Sequence, residues 1–158
     1  MSEYALRPAE IGDMTACAAI LNDWIDETPW MPRVHTHADV THHYRESVFN
    51  ERAVSVVAVD MSVLGFLALS DDDYVTALYV SAIARGAGVG KALLDQAKTN
   101  RPTGLRLWTF QANTAARRFY EREGFGELRR TDGDNEEGLP DILYGWPEQS
   151  ELQGHRYE

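Results

Sequence analysis

The chain has 158 residues, of which 44% are hydrophobic and 25% are charged. These proportions are ordinary for one globular domain with a single core. The formal net charge of −10 argues against a nucleic-acid-binding protein, because such proteins neutralise phosphates with lysine and arginine. The same charge is compatible with a cationic substrate.

The cysteine content and the hydropathy pattern predict the cellular compartment. Cys17 is the only cysteine, so it has no intramolecular disulfide partner, and its apolar neighbours predict a packed core thiol rather than a nucleophile. No apolar run approaches the roughly 18 residues of a transmembrane helix, and the start of the chain lacks the apolar region of a signal peptide. We therefore expect a cytoplasmic protein that does not bind a membrane.

The first half of the chain predicts a strand, two helices and three further strands. The first strand ends at Pro8, and Asp13 is predicted to cap a helix whose apolar residues recur at helical spacing up to Ile25. The loop "TPWMPRVHTH" follows, and a second helix is predicted over 39–50. The runs "AVSVVAVD" and "VLGFLALS" predict a hairpin, and "YVTALYV" predicts a third strand of this group.

The second half alternates strands and helices. A glycine-rich loop precedes a predicted helix over 88–100, a strand follows over 104–110, and Asn113 is predicted to cap a helix that ends at Gly124. "FGELRRT" and "DILYGWP" predict a closing strand pair around the acidic loop "DGDNEEGLP". The strand, helix and strand over 74–110 imply a parallel pair. We therefore predict an α/β fold with a single-domain mixed, mostly antiparallel sheet and helices on both faces.

The chain is interpreted as one domain over 1–147, followed by a polar C-terminal tail over 148–158. The sequence shows no internal repeat, low-complexity segment or linker that would divide the domain. The tail, "EQSELQGHRYE", is polar and is expected to be peripheral.

The segment "ARGAGVGKALL", residues 84–94, indicates a phosphate-binding loop. A helix N-terminus presents unpaired N–H groups at the positive end of its dipole, and glycine lets a ligand approach the backbone closely. A P-loop does not fit, because its Ser/Thr position holds Ala92, and a dinucleotide fingerprint lacks its last glycine. The pattern [RQ]-x-x-G-x-[GA] fits as Arg85-x-x-Gly88-x-Gly90.

Two segments in sequence carry a family resemblance. "LYVSAIARGAGVGKALL" followed by "NTAARRFYEREGF" resembles the GNAT superfamily of acyl-CoA-dependent N-acyltransferases, and the resemblance covers roughly residues 4–146. It implies acetyl-CoA as co-substrate, no metal, and an N-acetyltransferase that moves the acetyl group to a primary amine by direct transfer in a ternary complex. The alternative from another class is a non-catalytic acyl-CoA-binding regulatory module of the same fold.

The resemblance also implies the cofactor site. In the family, the strand before the glycine loop and the strand after its helix splay apart, and pantetheine pairs with backbone groups that here belong to Leu78 and Val80. The pyrophosphate faces the loop N–H groups, and Arg85 or Lys91 adds charge. Asn113 is a helix cap that can also bond the cofactor. The implied cofactor-binding residues are Leu78, Val80, Arg85, Gly86, Ala87, Gly88, Val89, Gly90, Lys91 and Asn113.

Tyr120 is the catalytic residue that the resemblance implies, as the general acid that protonates the departing thiolate. A phenol has an ordinary pKa of about 10 and is protonated at neutral pH. The alternative is an amphipathic tyrosine at the edge of the core. The family often carries a carboxylate on the strand before the glycine loop, whereas this strand offers only Thr76, Tyr74 and Tyr79, with Asp73 at its start. The general base is therefore not assigned.

The acceptor side is predicted from two loops. In the family, the connection between the first two helices borders the acceptor, which here places Trp24 and Trp30 beside it, with core packing as the alternative for Trp30. The acidic loop before the last strand either attracts a cation or is simply solvated. The predicted substrate residues are Trp30, Thr76, Glu137 and Asp141, and Glu136 belongs to the same acidic loop. The expected acceptor is a small-molecule amine, with a cationic amine as one candidate, and both a monomer and a homodimer remain open.

Four of the histidines cluster in sequence, at His35, His37, His42 and His43. Such a cluster raises the question of a metal site, but neither a cysteine nor a clear acidic partner completes a ligand set. Acyl transfer does not need a metal, so we expect none.

Overall fold

The computed structural model describes residues 4–148, and over this range seven strands form two antiparallel sheets. The first sheet has the order β1-β2-β3-β4 and the second has the order β5-β7-β6. The strands are β1 Ala5–Pro8, β2 Ala53–Val59, β3 Ser62–Leu69, β4 Val75–Val80, β5 Leu105–Phe110, β6 Gly126–Thr131 and β7 Asp141–Trp146.

The helices of the described chain are α1 Met14–Glu27, α2 His37–His43, α3 Phe49–Glu51, α4 Val89–Asn100 and α5 Thr114–Arg122. The second predicted helix begins earlier than expected, because the Thr36 side chain caps α2 by accepting a hydrogen bond from the Asp39 N–H at 3.0 Å. It also contains a π-helical turn over Tyr44–Val48 that joins α2 to α3. Apolar spacing does not reveal that turn.

The prediction that Asp13 caps α1 is wrong. A short 3-10 turn, Ile11–Asp13, precedes α1, and the Asp13 side chain makes no cap hydrogen bond to it. Its carboxylate instead accepts the Glu10 N–H at 2.8 Å and the Arg7 guanidinium at 2.7 Å. The hydrogen bond from Arg7 holds the pKa of Asp13 below its usual value. The cation on β1 therefore decides where this carboxylate points.

The predicted parallel pair of β4 and β5 is reduced to one bridge. Tyr74 and Arg106 form a parallel bridge, and the Arg106 N–H donates to the Asp73 carbonyl at 3.0 Å. Beyond this point the two strands separate, which leaves the inner edge of β4 without a neighbouring strand. The two antiparallel sheets thus meet at one end of β4 and open at the other, as the resemblance implied.

The core has two parts, one on each face of the first sheet. One part includes Leu93 and Leu94 of α4 with Tyr144 of β7. The other packs Met14 and Cys17 of α1 against the first sheet. Helices therefore cover both faces, which confirms the predicted fold class. Cys17 is 0% exposed, as predicted for a packed thiol, and burial raises its pKa to about 12.

No helix within the described range is long and apolar enough to span a bilayer. The predicted domain over 1–147 and the tail over 148–158 remain predictions, because residues 149–158 lie outside the described range.

Candidate active site

The open edge of β4 carries the backbone groups of Leu78 and Val80. The Ser81 N–H donates to the Leu64 carbonyl of β3 at 2.7 Å. Since backbone groups alternate sides along a strand, those of Leu78 and Val80 point away from β3 and into the opening. The Val80 carbonyl accepts a hydrogen bond there from Arg85 Nε at 3.3 Å. The edge is thus available for an added strand-like ligand once that side chain moves.

A cleft of about 280 Å³ lies along this edge, and we call it the β4 cleft. Three separate segments of the chain contribute predicted site residues to it: the end of β4, the glycine loop and α5. The predicted residues that line it are Leu78, Val80, Arg85, Gly90, Asn113 and Tyr120. The fold therefore brings the predicted catalytic residue together with both predicted cofactor segments.

The glycine loop ends at Gly88, which has φ +83° and lies directly before α4. The Ala92 N–H bonds the Gly88 carbonyl at 3.0 Å and closes the first helical turn, so the N–H groups just before Ala92 have no partner within the helix. The Ala87 N–H is bonded to the Ala84 carbonyl at 3.2 Å. A Cβ on Gly88 would meet nothing within 4 Å, so the space in front of this helix end is open.

Three other predicted cofactor-binding residues, Gly86, Val89 and Arg85, differ in backbone conformation, burial and hydrogen bonding. Gly86 also has φ +83°. The Val89 side chain is buried in the core, so only its backbone is available to a ligand. The Arg85 N–H makes a long bond of 3.5 Å to the Ala82 carbonyl. The phosphate contacts of these residues stay predictions.

Both predicted phosphate-binding cations already have carboxylate partners. The Arg85 guanidinium lies 3.2 Å from Glu27 of α1. The Lys91 ammonium lies 3.1 Å from Glu123 and 3.2 Å from Asp95, and its hydrogen bond to Glu123 contributes most to raising the pKa of Lys91. The pairs with Glu27 and Asp95 are solvent-exposed, and exposed pairs contribute little free energy, whereas the Glu123 side chain is only 12% exposed. A phosphate that binds Arg85 therefore competes with a weak partner.

α5 begins at Asn113, whose side chain accepts the Ala116 N–H at 3.1 Å, as predicted for a cap. Tyr120 lies near the end of this helix and is 8% exposed. Its ring packs edge to face on Phe125 at 5.6 Å. Burial, and then the neighbouring Tyr79, raise the pKa of the Tyr120 phenol above its usual value. The phenol is therefore protonated, as a general acid must be.

A second cavity of about 700 Å³ lies between the α1–α2 loop, β4 and the β6–β7 loop, and we call it the acidic cavity. Met31, Pro32 and Val34 of the first loop supply an apolar wall. Thr76 of β4 also lines it, and its hydroxyl donates to the Ala68 carbonyl at 3.3 Å. The cavity thus combines an apolar wall with a polar rim.

Within residues 4–148, Trp30 lines neither the β4 cleft nor the acidic cavity. Its ring packs edge to face on Trp24 and on Phe110, with both centroid distances at 5.8 Å. Trp24 in turn lines the β4 cleft. The structure therefore places Trp30 in aromatic packing, while Met31, Pro32 and Val34 line the acidic cavity.

The three acidic residues considered in the β6–β7 region, Glu136, Glu137 and Asp141, differ in their partners. Asp141 is buried and accepts hydrogen bonds from the Thr131 hydroxyl and from the Asn135 amide, the latter at 3.0 Å. Glu136 lies 3.2 Å from His35 Nε2. Asp141 closes the loop, and the Glu136 contact joins this loop to the α1–α2 loop.

Glu137 is half-buried and makes no hydrogen bond or ion pair with its carboxylate among residues 4–148. It lines the acidic cavity and also an outer cavity of about 500 Å³, which it shares with Asp141, Trp108 and Phe110. Of the predicted substrate residues, Glu137 is thus the one whose charge remains available to a ligand.

The histidine cluster is dispersed by the fold. His37 bonds Asp26 at 2.8 Å, while His35 faces Glu136. Within the described residues, no three His, Cys, Asp or Glu side chains are grouped to hold a metal ion.

A model of the acetyltransferase (GNAT) domain matches residues 26–143. The chain belongs to this family. It is therefore an acetyl-CoA-dependent acetyltransferase, which favours the predicted enzyme over the regulatory module.

Individual proteins resemble this acetyltransferase over most of its length. It is 27% identical over 132 residues to the peptidyl-lysine N-acetyltransferase YiaC of Escherichia coli K12, covering 82% of this chain and 89% of that protein. The solution structure of apo-form YjaB from Escherichia coli has a TM-score of 0.73 at 22% identity, covering 91% of this chain and 97% of that one. YncA from Salmonella typhimurium, a putative acetyltransferase solved with its cofactor acetyl-CoA, has a TM-score of 0.69 at 19% identity, covering 92% and 94%. The solved structures share the fold.

Tyr79 is a residue of this acetyltransferase that sequence reasoning did not select for the site. It lines both the β4 cleft and the acidic cavity. Its ring is held by Trp24 at 5.4 Å and by Phe66 at 5.9 Å. The signal was available in the strand period, because a residue between Leu78 and Val80 must point to the other face of β4.

Proposed function

We propose that this enzyme transfers the acetyl group of acetyl-CoA to a primary amine by direct transfer in a ternary complex, and that it prefers a cationic amine on an aliphatic stem. One observation carries the proposal: the β4 cleft and the acidic cavity adjoin at Tyr79. Two substrates in these spaces hold their reacting groups close together without a covalent enzyme intermediate.

The β4 cleft fits acetyl-CoA on observations of the chain itself. The backbone of Leu78 and Val80 faces the cleft, which suits the amides of pantetheine. The helix end after Gly88 has open space before it and N–H groups that suit the pyrophosphate. Arg85 and Lys91 add charge by exchanging their carboxylate partners for phosphate oxygens.

Two groups of the chain act on the thioester in this proposal. Tyr120 donates the proton that the departing sulfur needs, which its protonated phenol can do at neutral pH. The Val80 N–H, on the open edge of β4, donates to the thioester oxygen as negative charge develops there. Tyr120 and Val80 both line the β4 cleft, which supports these paired roles.

The acidic cavity suits an ammonium group at the end of an apolar stem. The unpaired carboxylate of Glu137 attracts the charge, and Met31, Pro32 and Val34 contact the stem. A lysine side chain has this chemistry, and one relative is named a peptidyl-lysine N-acetyltransferase. A small aliphatic diamine has the same chemistry, so the acceptor assay must include both.

The test is thiol release from acetyl-CoA with a panel of acceptors at low and high salt. The panel contains a lysine peptide, an aliphatic diamine, and neutral and anionic amines of similar length. We expect kcat/KM to be highest for the cationic acceptors. This advantage should shrink with salt, because the Debye length falls from about 10 Å at 0.1 M to about 3 Å at 1 M.

Glu137→Gln should remove most of the preference for cationic acceptors. Glu136→Gln is the matched control, because its carboxylate faces His35 and an exposed pair of this kind contributes little. A preference for neutral or anionic acceptors that Glu137→Gln leaves unchanged would contradict the acceptor assignment. Absence of turnover with every amine would contradict the transfer itself.

A further inference from the structure

The Tyr79 hydroxyl has no hydrogen-bond partner among residues 4–148. Among residues 4–148 the side chain makes ring contacts with Trp24 and Phe66, and no hydrogen bond of its hydroxyl is formed. Packing alone requires only the ring. A phenylalanine would make the same ring contacts, so packing does not account for the hydroxyl of this half-buried residue.

The position of Tyr79 relates the two substrate spaces. It lines the β4 cleft together with Tyr120, and it lines the acidic cavity together with Glu137. Thr76, the other polar side chain of β4 in the acidic cavity, already donates to the Ala68 carbonyl. Tyr79 is thus the β4 side chain that borders both spaces and has a hydroxyl available to a ligand.

We propose that Tyr79 is a second catalytic tyrosine, whose hydroxyl oxygen accepts a hydrogen bond from the attacking amine and passes the proton of that amine towards Glu137. This inference rests on the proposed amine acetylation. It also supplies the missing proton acceptor, since β4 has no carboxylate within its span.

The transfer balances as follows. The acceptor ammonium first gives one proton to solvent, because only the neutral amine has a free electron pair, and its nitrogen then forms a bond to the acetyl carbon while the bond from that carbon to sulfur breaks. The nitrogen gives its extra proton to the Tyr79 oxygen, and Tyr79 gives its own proton to Glu137, directly or through one water. The sulfur takes the Tyr120 proton. Glu137 ends protonated and Tyr120 deprotonated, and solvent exchange restores both.

The electrostatics of Tyr79 agree with a relay rather than a simple base. Desolvation by the surrounding protein, and then the charge of Glu137, raise the pKa of the Tyr79 phenol to about 12. A free phenolate is therefore scarce at neutral pH. In a relay the oxygen gains one proton as it loses another, so the phenolate never has to accumulate.

The experiment compares Tyr79→Phe with the parent on two acceptors of equal size, a strongly basic alkylamine and its weakly basic alkoxyamine analogue. Loss of the relay should lower kcat at least about tenfold with the alkylamine. The loss should be below about threefold with the alkoxyamine, because its nitrogen gives up the proton readily without a protein acceptor. A structural defect lowers both rates equally.

A binding measurement provides a readout apart from turnover. A conjugate that joins CoA to the acceptor amine through an acetyl amide places one N–H at the junction. Calorimetric titration should show about fivefold weaker binding of this conjugate to Tyr79→Phe, with CoA alone unchanged. Tyr74→Phe is the matched control, because Tyr74 lies directly before β4 and lines neither the β4 cleft nor the acidic cavity. It should leave both affinities and kcat unchanged.

Equal kcat for the parent and Tyr79→Phe on the alkylamine would overturn the inference, and so would equal loss on both acceptors. Turnover by the parent protein tests the proposed function separately from the role of Tyr79. If the parent acetylates no amine, the proposed function fails. If the parent is active and the variant equals it, only the role of Tyr79 fails.

Discussion

Arg85 donates a hydrogen bond from Nε to the Val80 carbonyl at 3.3 Å, and so covers the edge of β4 that pantetheine is proposed to pair with. The outer end of the same guanidinium lies 3.2 Å from Glu27 of α1. In this arrangement, Glu27 favours the position of Arg85 that closes the edge. Acetyl-CoA must therefore displace Arg85 from Val80, and its pyrophosphate then competes with Glu27 for the charge.

Glu27→Gln should tighten the binding of acetyl-CoA, because it removes the competing charge without changing the length of the side chain. Exposed pairs of this kind are worth about 0.2–1 kcal/mol, so we expect a gain of up to about fivefold. Calorimetric titration at low salt measures it. Glu51→Gln is the control, because Glu51 pairs with Arg52 at 3.7 Å in a different ion pair. Equal or weaker binding by Glu27→Gln would contradict the competition.

Gly88→Val should weaken the binding of acetyl-CoA at least tenfold, or about 1.4 kcal/mol. The added side chain projects into the open space before α4, where the phosphate is proposed to lie. A valine at position 88 also strains the backbone, because φ is +83° there and left-handed geometry costs a residue with a side chain about 1–2 kcal/mol. Stability must therefore be measured beside affinity.

Gly138→Val separates these two effects. Gly138 also has a positive φ, +70°, and its Cβ would also meet nothing within 4 Å, but it lies in the β6–β7 loop. It should lower the melting temperature by a similar amount and leave the affinity for acetyl-CoA unchanged. Unaltered affinity in folded Gly88→Val would place the pyrophosphate elsewhere.

Tyr120→Phe should lower kcat by about 10²–10⁴-fold and leave the affinity for acetyl-CoA unchanged, because it removes only the proton donor. Steady-state kinetics on an accepted amine and calorimetry measure the two quantities. Tyr144→Phe is the control, since the Tyr144 hydroxyl bonds Glu121 at 2.7 Å outside the β4 cleft. A kcat for Tyr120→Phe within about twofold of the parent would remove this residue from the mechanism.

Stability should fall as the pH rises above 9, because burial raises the pKa of the Cys17 thiol to about 12 from its ordinary value of 9.0. The protonated thiol is favoured by the fold, so its contribution is complete below pH 9 and is lost as the pH rises towards 12. Urea unfolding at pH 8 and pH 10 should show a loss of about 1.4 kcal/mol from this group. Cys17→Ala should remove that part of the pH dependence, and parallel curves for parent and variant would refute it.

Local signals predicted most of the elements and failed where distant groups intervene. The helical spacing of apolar residues located α1, and the strand period located β2, β3 and β4. The prediction that Asp13 caps α1 was wrong, because the Asp13 carboxylate instead accepts hydrogen bonds from Arg7 of β1 and from the Glu10 N–H. The π-helical turn after α2 was not predicted, because apolar spacing does not reveal it.

The sequence by itself determined the family, and it predicted the phosphate-binding role of the glycine loop and the catalytic role of Tyr120, which stay predictions. Each of these is written in residues close together along the chain, where turn geometry and capping leave a direct pattern. It also identified Asn113 as a cap, which the hydrogen bond to Ala116 confirms.

Only the tertiary structure decided which charges and hydroxyls are available. Glu137 and Asp141 belong to one acidic stretch, yet Asp141 is buried with two donors while Glu137 has no partner among the described residues. Arg85 meets Glu27, a residue 58 positions away, and Tyr79 borders two spaces that are lined by segments from distant parts of the chain. Availability depends on burial and on partners brought in from far along the chain, and no local pattern of residues records those.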